Sequence, residues 1–454
     1  MQHILDMISN GTKMSESEHD ELISEVGAEL VELYEIKQDS ENLIPMDDKT
    51  ANKILEAAFD LLEAVGIYSI DTKSVITIPR SEIFRSIQNS RKYLNIGEGS
   101  DKYLLTLTAN TEKKRTLIMG GPNACPVTPE MYIPIHRSYA KFTDIDSIAP
   151  ASLDVPPTNF MKRGPVNLMH ARRAVQLVKE ACALEGRPDI CMTTPPHIED
   201  PVAAVSVANP RFMGPGDLQE IIPQQGLKVK YDELSRIYHY KMTGSNYLCS
   251  PMLVRGLSTA TSEQFAIEIV AEALKSQVIY GASVFFKYPT HIHTADAFKT
   301  LWASFAATKA ISQNEVCFQG SVVTSSAGPC TEMMFYETAV QTIGYVACGC
   351  DIISGPVSNN GSISNQAAGL DAHFMAEISR FASKLSLMDA NYLCSELYSK
   401  YEHKLKTPDI GKSFEDCYDM KTIEPTREYA DLYESVITEI HQIMQQKNKR
   451  VTRK

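Results

Sequence analysis

The chain has 454 residues, more than one minimal domain requires; 43% of them are apolar and 22% charged, which excludes disorder over most of the length. A net charge of −12 excludes nucleic acid as the main partner, because phosphate contacts need a basic face. No run of about 18 apolar residues occurs, so no membrane span is expected. The N-terminus lacks a signal-peptide core, and ten scattered cysteines are simplest as reduced thiols of a cytoplasmic protein.

In chain order, Leu22, Ile23, Val26, Leu30 and Leu33 fall at helical spacing within residues 18–34. Ile54, Leu55, Phe59 and Leu62 form a second stripe in 50–64, stopped by Gly66. From 66 to 118 the pattern turns β-like, with strands expected at 76–78, 103–107 and 115–119, the last running into the glycine and proline loop 120–126. Beyond 140 the chain alternates. Helices are predicted at 165–183, 261–274, 294–310, 332–346 and 368–387, and strands at 189–193, 245–249, 278–286, 316–318 and 351–353. Thr261 and Gln264 have the spacing of a capping box. This βαβα rhythm implies a parallel sheet, preferably a closed barrel. No glycine-rich phosphate loop opens any helix, so a nucleotide site is unsupported. A barrel is preferred to a doubly wound sheet and is expected over 131–390, with an N-terminal helical segment at 1–64, a β-rich cap or the start of the barrel at 65–130, and a C-terminal helical extension at 391–454.

The stretch 319–333 (QGSVVTSSAGPCTEM) stands at the centre of this pattern. An apolar run leads in and a helix leads out, and its small residues permit a sharp turn and close approach to a ligand; an ordinary, well-capped βα loop explains it equally. Two further features carry chemistry. His291 and His293 are two positions apart, so on a strand they share a face, as zinc ligands often do; His197, Glu220, Cys249 or Cys317 could supply a third ligand. Phe285, Phe286 and Tyr288 lie at or beyond a strand end, where aromatic walls could hold a quaternary ammonium ion, although core packing suits the two phenylalanines better. Glu220 could balance a cationic substrate or act as an acid/base, or be a salt-bridged barrel residue. Asp371 and His373 open a helix and could face a partner or cap that helix.

Residues 327–333 (AGPCTEM) and 411–429 (GKSFEDCYDMKTIEPTREY), with 120–122, 138–140, 183–188, 239–241 and 372–380 in the same order, resemble segments of the archaeal monomethylamine:corrinoid methyltransferases across nearly the whole chain. The resemblance implies that the barrel is of the TIM-type (β/α)8 kind with its cavity at the C-terminal strand ends, a homo-oligomer, and transfer of a methyl group to a separate corrinoid protein. Cobalamin would thus come from that partner, with no cofactor tightly bound to this chain. In the family, a pyrrolysine follows a Gly-Arg-Pro; here 186–188 is present, and the corresponding position falls on Thr193. Other polar pocket positions of the family fall on Ser250, Val322 and Thr324, while Glu220 and His291 match. The resemblance therefore implies a rebuilt pocket without an electrophilic imine, with Glu220 and Thr193 as catalytic candidates and Ser250, His291, Val322, Thr324 and Tyr288 around the substrate. A methylated amine or quaternary ammonium donor is expected. The alternatives are a metal-dependent barrel enzyme using His291 and His293, and a catalytically silent homologue that binds a corrinoid protein.

Overall fold

A computed structural model describes residues 1–107, 115–153, 165–195, 200–291 and 297–452. Eight parallel strands succeed one another around a barrel: β1 (Leu117–Gly120), β2 (Ser147–Ile148), β3 (Cys191–Met192), β4 (Leu218–Ile221), β5 (Asn246–Cys249), β6 (Val284–His291), β7 (Gln319–Thr324) and β8 (Ile352–Val357). β8 pairs with β1, and a parallel bridge from Thr193 to Leu218 joins β3 to β4, which closes the ring. Helices follow the strands: α1 (Pro129–Ala140), α2 (Pro165–Leu184), α3 (Pro201–Val207), α4 (Tyr231–Thr243), α5 (Ser262–Lys275), α6 (Ala297–Gln313), α7 (Glu332–Ala347) and α8 (Gly369–Ala382). This is the TIM-type (β/α)8 barrel that the resemblance implies, and its parallel sheet and closure agree with the alternation.

Alternation along each strand sorts side chains between the barrel interior and the helical jacket. On β5, Leu248 belongs to the interior cluster and Tyr247 and Cys249 to the helix-side cluster; on β6, Val284 and Phe286 point inward and Phe285 outward. The interior is tight. A Cβ on Gly320 would lie 2.1 Å from the Phe286 ring, so only glycine on β7 lets that ring lie across the barrel.

The N-terminal helices Glu16–Leu33 and Asp48–Val65 pack on the α5 side of the jacket. Ser15 and Glu18 form a capping box there, as Thr261 and Gln264 do at α5. A small sheet joins Ile67–Ser69 and Ser74–Ile76 to Lys228–Val229 of the β4–α4 loop. At the other end, Leu387–Tyr401 packs on α7, and Arg427–Thr452 covers both. Among the described residues, no helix is long and apolar enough to cross a membrane.

Three predicted elements differ. The strand expected at 278–286 is a π-helical turn, Ser276–Tyr280, followed by β6; its apolar residues are buried in either state, so hydrophobicity alone does not separate them. The strand expected at 316–318 starts at Gln319, because the polar Gln319 is satisfied by Thr308 O, Lys287 Nζ and the Asp351 carboxylate. The helix expected at 368–387 breaks after Ala382, and Ser386 caps the next helix through Asp389 N.

Candidate functional site

The C-terminal strand ends enclose a cavity of about 230 Å3. Met119 comes from β1, Thr193 follows β3, Glu220 lies on β4, Leu248 on β5 with Ser250 just after it, Phe286 and Tyr288 on β6, Val322 on β7, and Ser354 and Val357 on β8. Asn123, Ala124, Asn360 and Gly361 of the β1 and β8 loops close the rim, together with Ile222 and Met252, which are 44% and 53% exposed. Asn123 and Asn360 have φ of 45° and 50°, the left-handed region that asparagine tolerates best after glycine. The Asn123 amide reaches Ser354 Oγ at 3.3 Å, which ties the two rim loops together.

Among the described residues, Glu220 is the one carboxylate on this wall. Its place is fixed from behind: its backbone N–H donates to Thr194 Oγ1 at 3.1 Å, and that hydroxyl donates to Gln219 Oε1 at 3.0 Å. Thr193 N–H donates to Ile148 O at 2.9 Å, and Ser250 N–H to Ile221 O at 2.9 Å. Desolvation at the barrel mouth pushes the Glu220 carboxyl from 4.5 to about 7; the neighbouring Ser250 hydroxyl and the more distant Arg236 charge offset part of this. A carboxyl so placed changes charge near neutrality and gains most from a cation entering the cavity. The same cavity is lined by two aromatic side chains, Phe286 and Tyr288, and two thioethers, Met119 and Met252.

Five sequence candidates therefore meet: Thr193, Glu220, Ser250, Tyr288 and Val322. Phe286 joins them as wall, whereas Phe285 faces the helices. Thr324 does not meet them. It lies two residues beyond Val322, past an irregularity in the β7–β8 register, and lines a second, smaller cavity outside the barrel wall. The backbone of His291 ends β6, opposite Arg255, while His293 and His197 lie outside the described residues. Cys249 and Cys317 pack in the helix-side cluster, and Cys249 accepts from Ser276 Oγ at 3.1 Å, so strand alternation removes both as ligands in the cavity. Among the described residues, no group of three or more His, Cys, Asp or Glu could hold a metal ion.

Two other expectations are corrected. Asp371 is buried and accepts a hydrogen bond from Tyr429, and His373 pairs with Asp144 and stacks on Phe142; both fasten α8 to its surroundings rather than facing a partner. The close approach that Gly328 permits is to the chain itself: its N–H donates to Asp409 O at 2.9 Å, and a Cβ there would lie 1.8 Å from Ile410 O. Asn123, Met119, Met252 and Ser354 were not singled out in the sequence. Only the loop 120–126, with its glycines and prolines after a strand, pointed to any of them.

The sequence matches the family described as "Monomethylamine methyltransferase MtmB" over residues 1–444. Among curated proteins, it is 29% identical over 394 residues to monomethylamine methyltransferase MtmB1 of Methanosarcina barkeri, covering 86% of each chain. It is 29% identical over 401 residues to MtmB of Methanosarcina mazei, again with 86% of each covered. Among solved structures, the crystal structure of the Methanosarcina barkeri monomethylamine methyltransferase superposes with a TM-score of 0.92 over 97% of both chains at 27% identity. A hydroxylamine complex of MtmB gives the same values.

Proposed function

The chain belongs to the monomethylamine methyltransferase MtmB family and is a methyltransferase, and from that premise we propose that it moves a methyl group from a methylated amine or quaternary ammonium donor to a corrinoid carried by a partner protein, without pyrrolysine. The observation that carries this reading is that Glu220, Phe286, Tyr288, Met119 and Met252 line one cavity. A cationic nitrogen is attracted by the carboxylate, while aromatic faces and thioethers accept its methyl groups.

Thr193 stands where the resemblance puts pyrrolysine, and its hydroxyl offers a hydrogen bond but no covalent capture. A quaternary nitrogen needs no capture, because its permanent charge already makes its methyl groups electrophilic. Ser250, beside the Glu220 carboxyl, holds that group on the cavity side. Val322 and Leu248 keep the wall between them dry. At about 230 Å3 the cavity is smaller than the roughly 300–1,000 Å3 sites of drug-sized ligands. It fits a small amine and cannot enclose a corrinoid, so the acceptor has to meet the donor from the open rim at Ile222 and Met252. The corrinoid, when presented there, supplies the nucleophilic cobalt that receives the methyl group.

Binding tests this reading. At a hundredfold excess over its Kd, a ligand stabilises the folded chain by about 2.7 kcal/mol. Across a thermal-shift panel of primary to quaternary methylated amines, betaines, methanol and methylthiols, the amines are expected to raise Tm and methanol and methylthiols to leave it unchanged. A response confined to methanol or thiols overturns the donor class. The homo-oligomer implied by the resemblance belongs to the same proposal and is read by light scattering.

A further inference from the structure

Behind the barrel wall lies a second chamber of about 100 Å3 between β7, α6 and α7, large enough for water or a small ion. Its lining is strongly polar: Thr300 and Ser304 of α6, Thr324 of β7, Ser326 after it, and Glu337, Gln341 and Tyr345 of α7. Thr300 is 4% exposed, and its hydroxyl has no hydrogen-bond partner among the described residues; Ser304 is fully buried, with the Tyr345 hydroxyl beside it and beside Ser321. Buried hydroxyls left without partners cost stability, and such groups mark a place where something else supplies the bonds.

The charge on the wall indicates what that is. Among the described residues, Glu337 is the carboxylate of the chamber, and no lysine or arginine lines it. Its carboxylate accepts from Ser325, from Ser326 Oγ at 2.7 Å and from Ala327 N–H at 3.2 Å, which fixes it in place. The buried Lys287 is turned to Gln319 Oε1 at 3.0 Å and Gly320 O at 3.5 Å, and lies 5.5 Å from the Tyr345 ring centre. Burial raises the Glu337 carboxyl above its ordinary range, so a cation brought beside it favours the charged form, and the hydroxyl oxygens of the same lining can accept from such a donor. Asn360 lines both this chamber and the barrel cavity, and the wall between them is the stretch of β7 that turns Val322 one way and Thr324 the other.

We propose that this second chamber binds one small ammonium-type cation, ammonium or methylammonium, next to the donor cavity. The choice of an amine over another cation rests on the donor reading above. Ammonium and methylammonium are what mono- and dimethylated donors leave behind in a barrel cavity whose mouth the methyl acceptor covers, and a neighbouring cation site gives them a place to move without crossing that acceptor.

The test uses the full chain and ammonium chloride, with sodium chloride at matched ionic strength as the control. Thr300→Val keeps the shape and removes the unpartnered hydroxyl; Glu220→Gln silences the donor cavity and leaves the chamber intact. Ammonium is expected to raise Tm above the sodium control in both the wild type and Glu220→Gln. In Thr300→Val, half-saturation is expected to need about tenfold more ammonium, the effect of one lost hydrogen bond of about 1.4 kcal/mol, while Tm without ammonium holds or rises. A response equal to that of sodium, or unchanged in Thr300→Val, overturns the proposal and leaves water as the occupant. A response lost in Glu220→Gln overturns it too, by moving the cation to the donor cavity. Failure of the donor panel with retention of the ammonium response would overturn only the donor reading.

Discussion

Replacing Glu220 with glutamine should stabilise the protein and disarm it together. Holding a carboxyl at about 7 in the folded chain against 4.5 outside it corresponds, at 1.36 kcal/mol per pH unit, to about 3 kcal/mol. Because the folded form keeps the proton longer, stability from this group is fully present below 4.5 and is lost as pH rises to 7. Glutamine carries no charge at any pH, so its advantage over glutamate should grow from about 1.4 kcal/mol at pH 5.5 to about 3 kcal/mol at pH 8. Unfolding entropy of roughly 2.1 cal/mol/K per residue gives about 1 kcal/mol/K for 454 residues. The gap in Tm between Glu220→Gln and wild type should therefore widen from about 1 °C to about 3 °C between those pH values. The assay is thermal unfolding of both proteins at pH 5.5, 7 and 8. A variant less stable than wild type at pH 8, or a gap independent of pH, would refute the reasoning, since either means that Glu220 is ionised and paired in the empty cavity.

Three further outcomes follow from the same geometry. Ser250→Ala removes a hydroxyl that lowers the Glu220 pKa, so the pH midpoint for binding a cationic donor should move upward; binding is expected to tighten as pH rises through that midpoint, and titration calorimetry at several pH values reads it. Gly320→Ala places a methyl 2.1 Å from the Phe286 ring, which should cost about 1–3 kcal/mol in urea unfolding and weaken donor binding as the ring shifts; unchanged stability would mean the ring has another place to lie. Gly328→Ala meets Ile410 O at 1.8 Å, backbone that cannot swing aside, so the segment around 409–412 should detach and become open to limited proteolysis while the barrel stays folded.

The barrel was legible because its helices repeat apolar residues at helical spacing and its loops carry capping signals, as at Thr261 and Gln264. Strands hid where they are short or polar. Ser147–Ile148 is two residues long, and Leu218–Ile221 carries Gln219 and Glu220 in an otherwise apolar setting, so neither shows the continuous apolar run of a buried parallel strand. α1 carries an internal Pro134 and α4 many polar residues, which blur the helical stripe. Within the cavity, Thr193, Glu220, Ser250, Tyr288 and Val322 came from the resemblance and from strand-end position. Thr324 went astray because a register irregularity at 322–324 turns its side chain outward, and no sequence pattern encodes a bulge of that kind. The stretch 319–333 was rightly placed at a strand-to-helix turn, but the close approach its glycine permits is to residues 409–412.

The most direct test is methyl transfer itself. The purified chain, a reduced corrinoid protein in its cob(I)alamin form and each amine of the panel are mixed anaerobically, and the cobalamin spectrum is followed. The account predicts conversion to methylcobalamin with at least one methylated amine or quaternary ammonium donor, suppressed at least tenfold by Glu220→Gln. No conversion with any methylated amine, using a corrinoid protein that binds the chain, would contradict it.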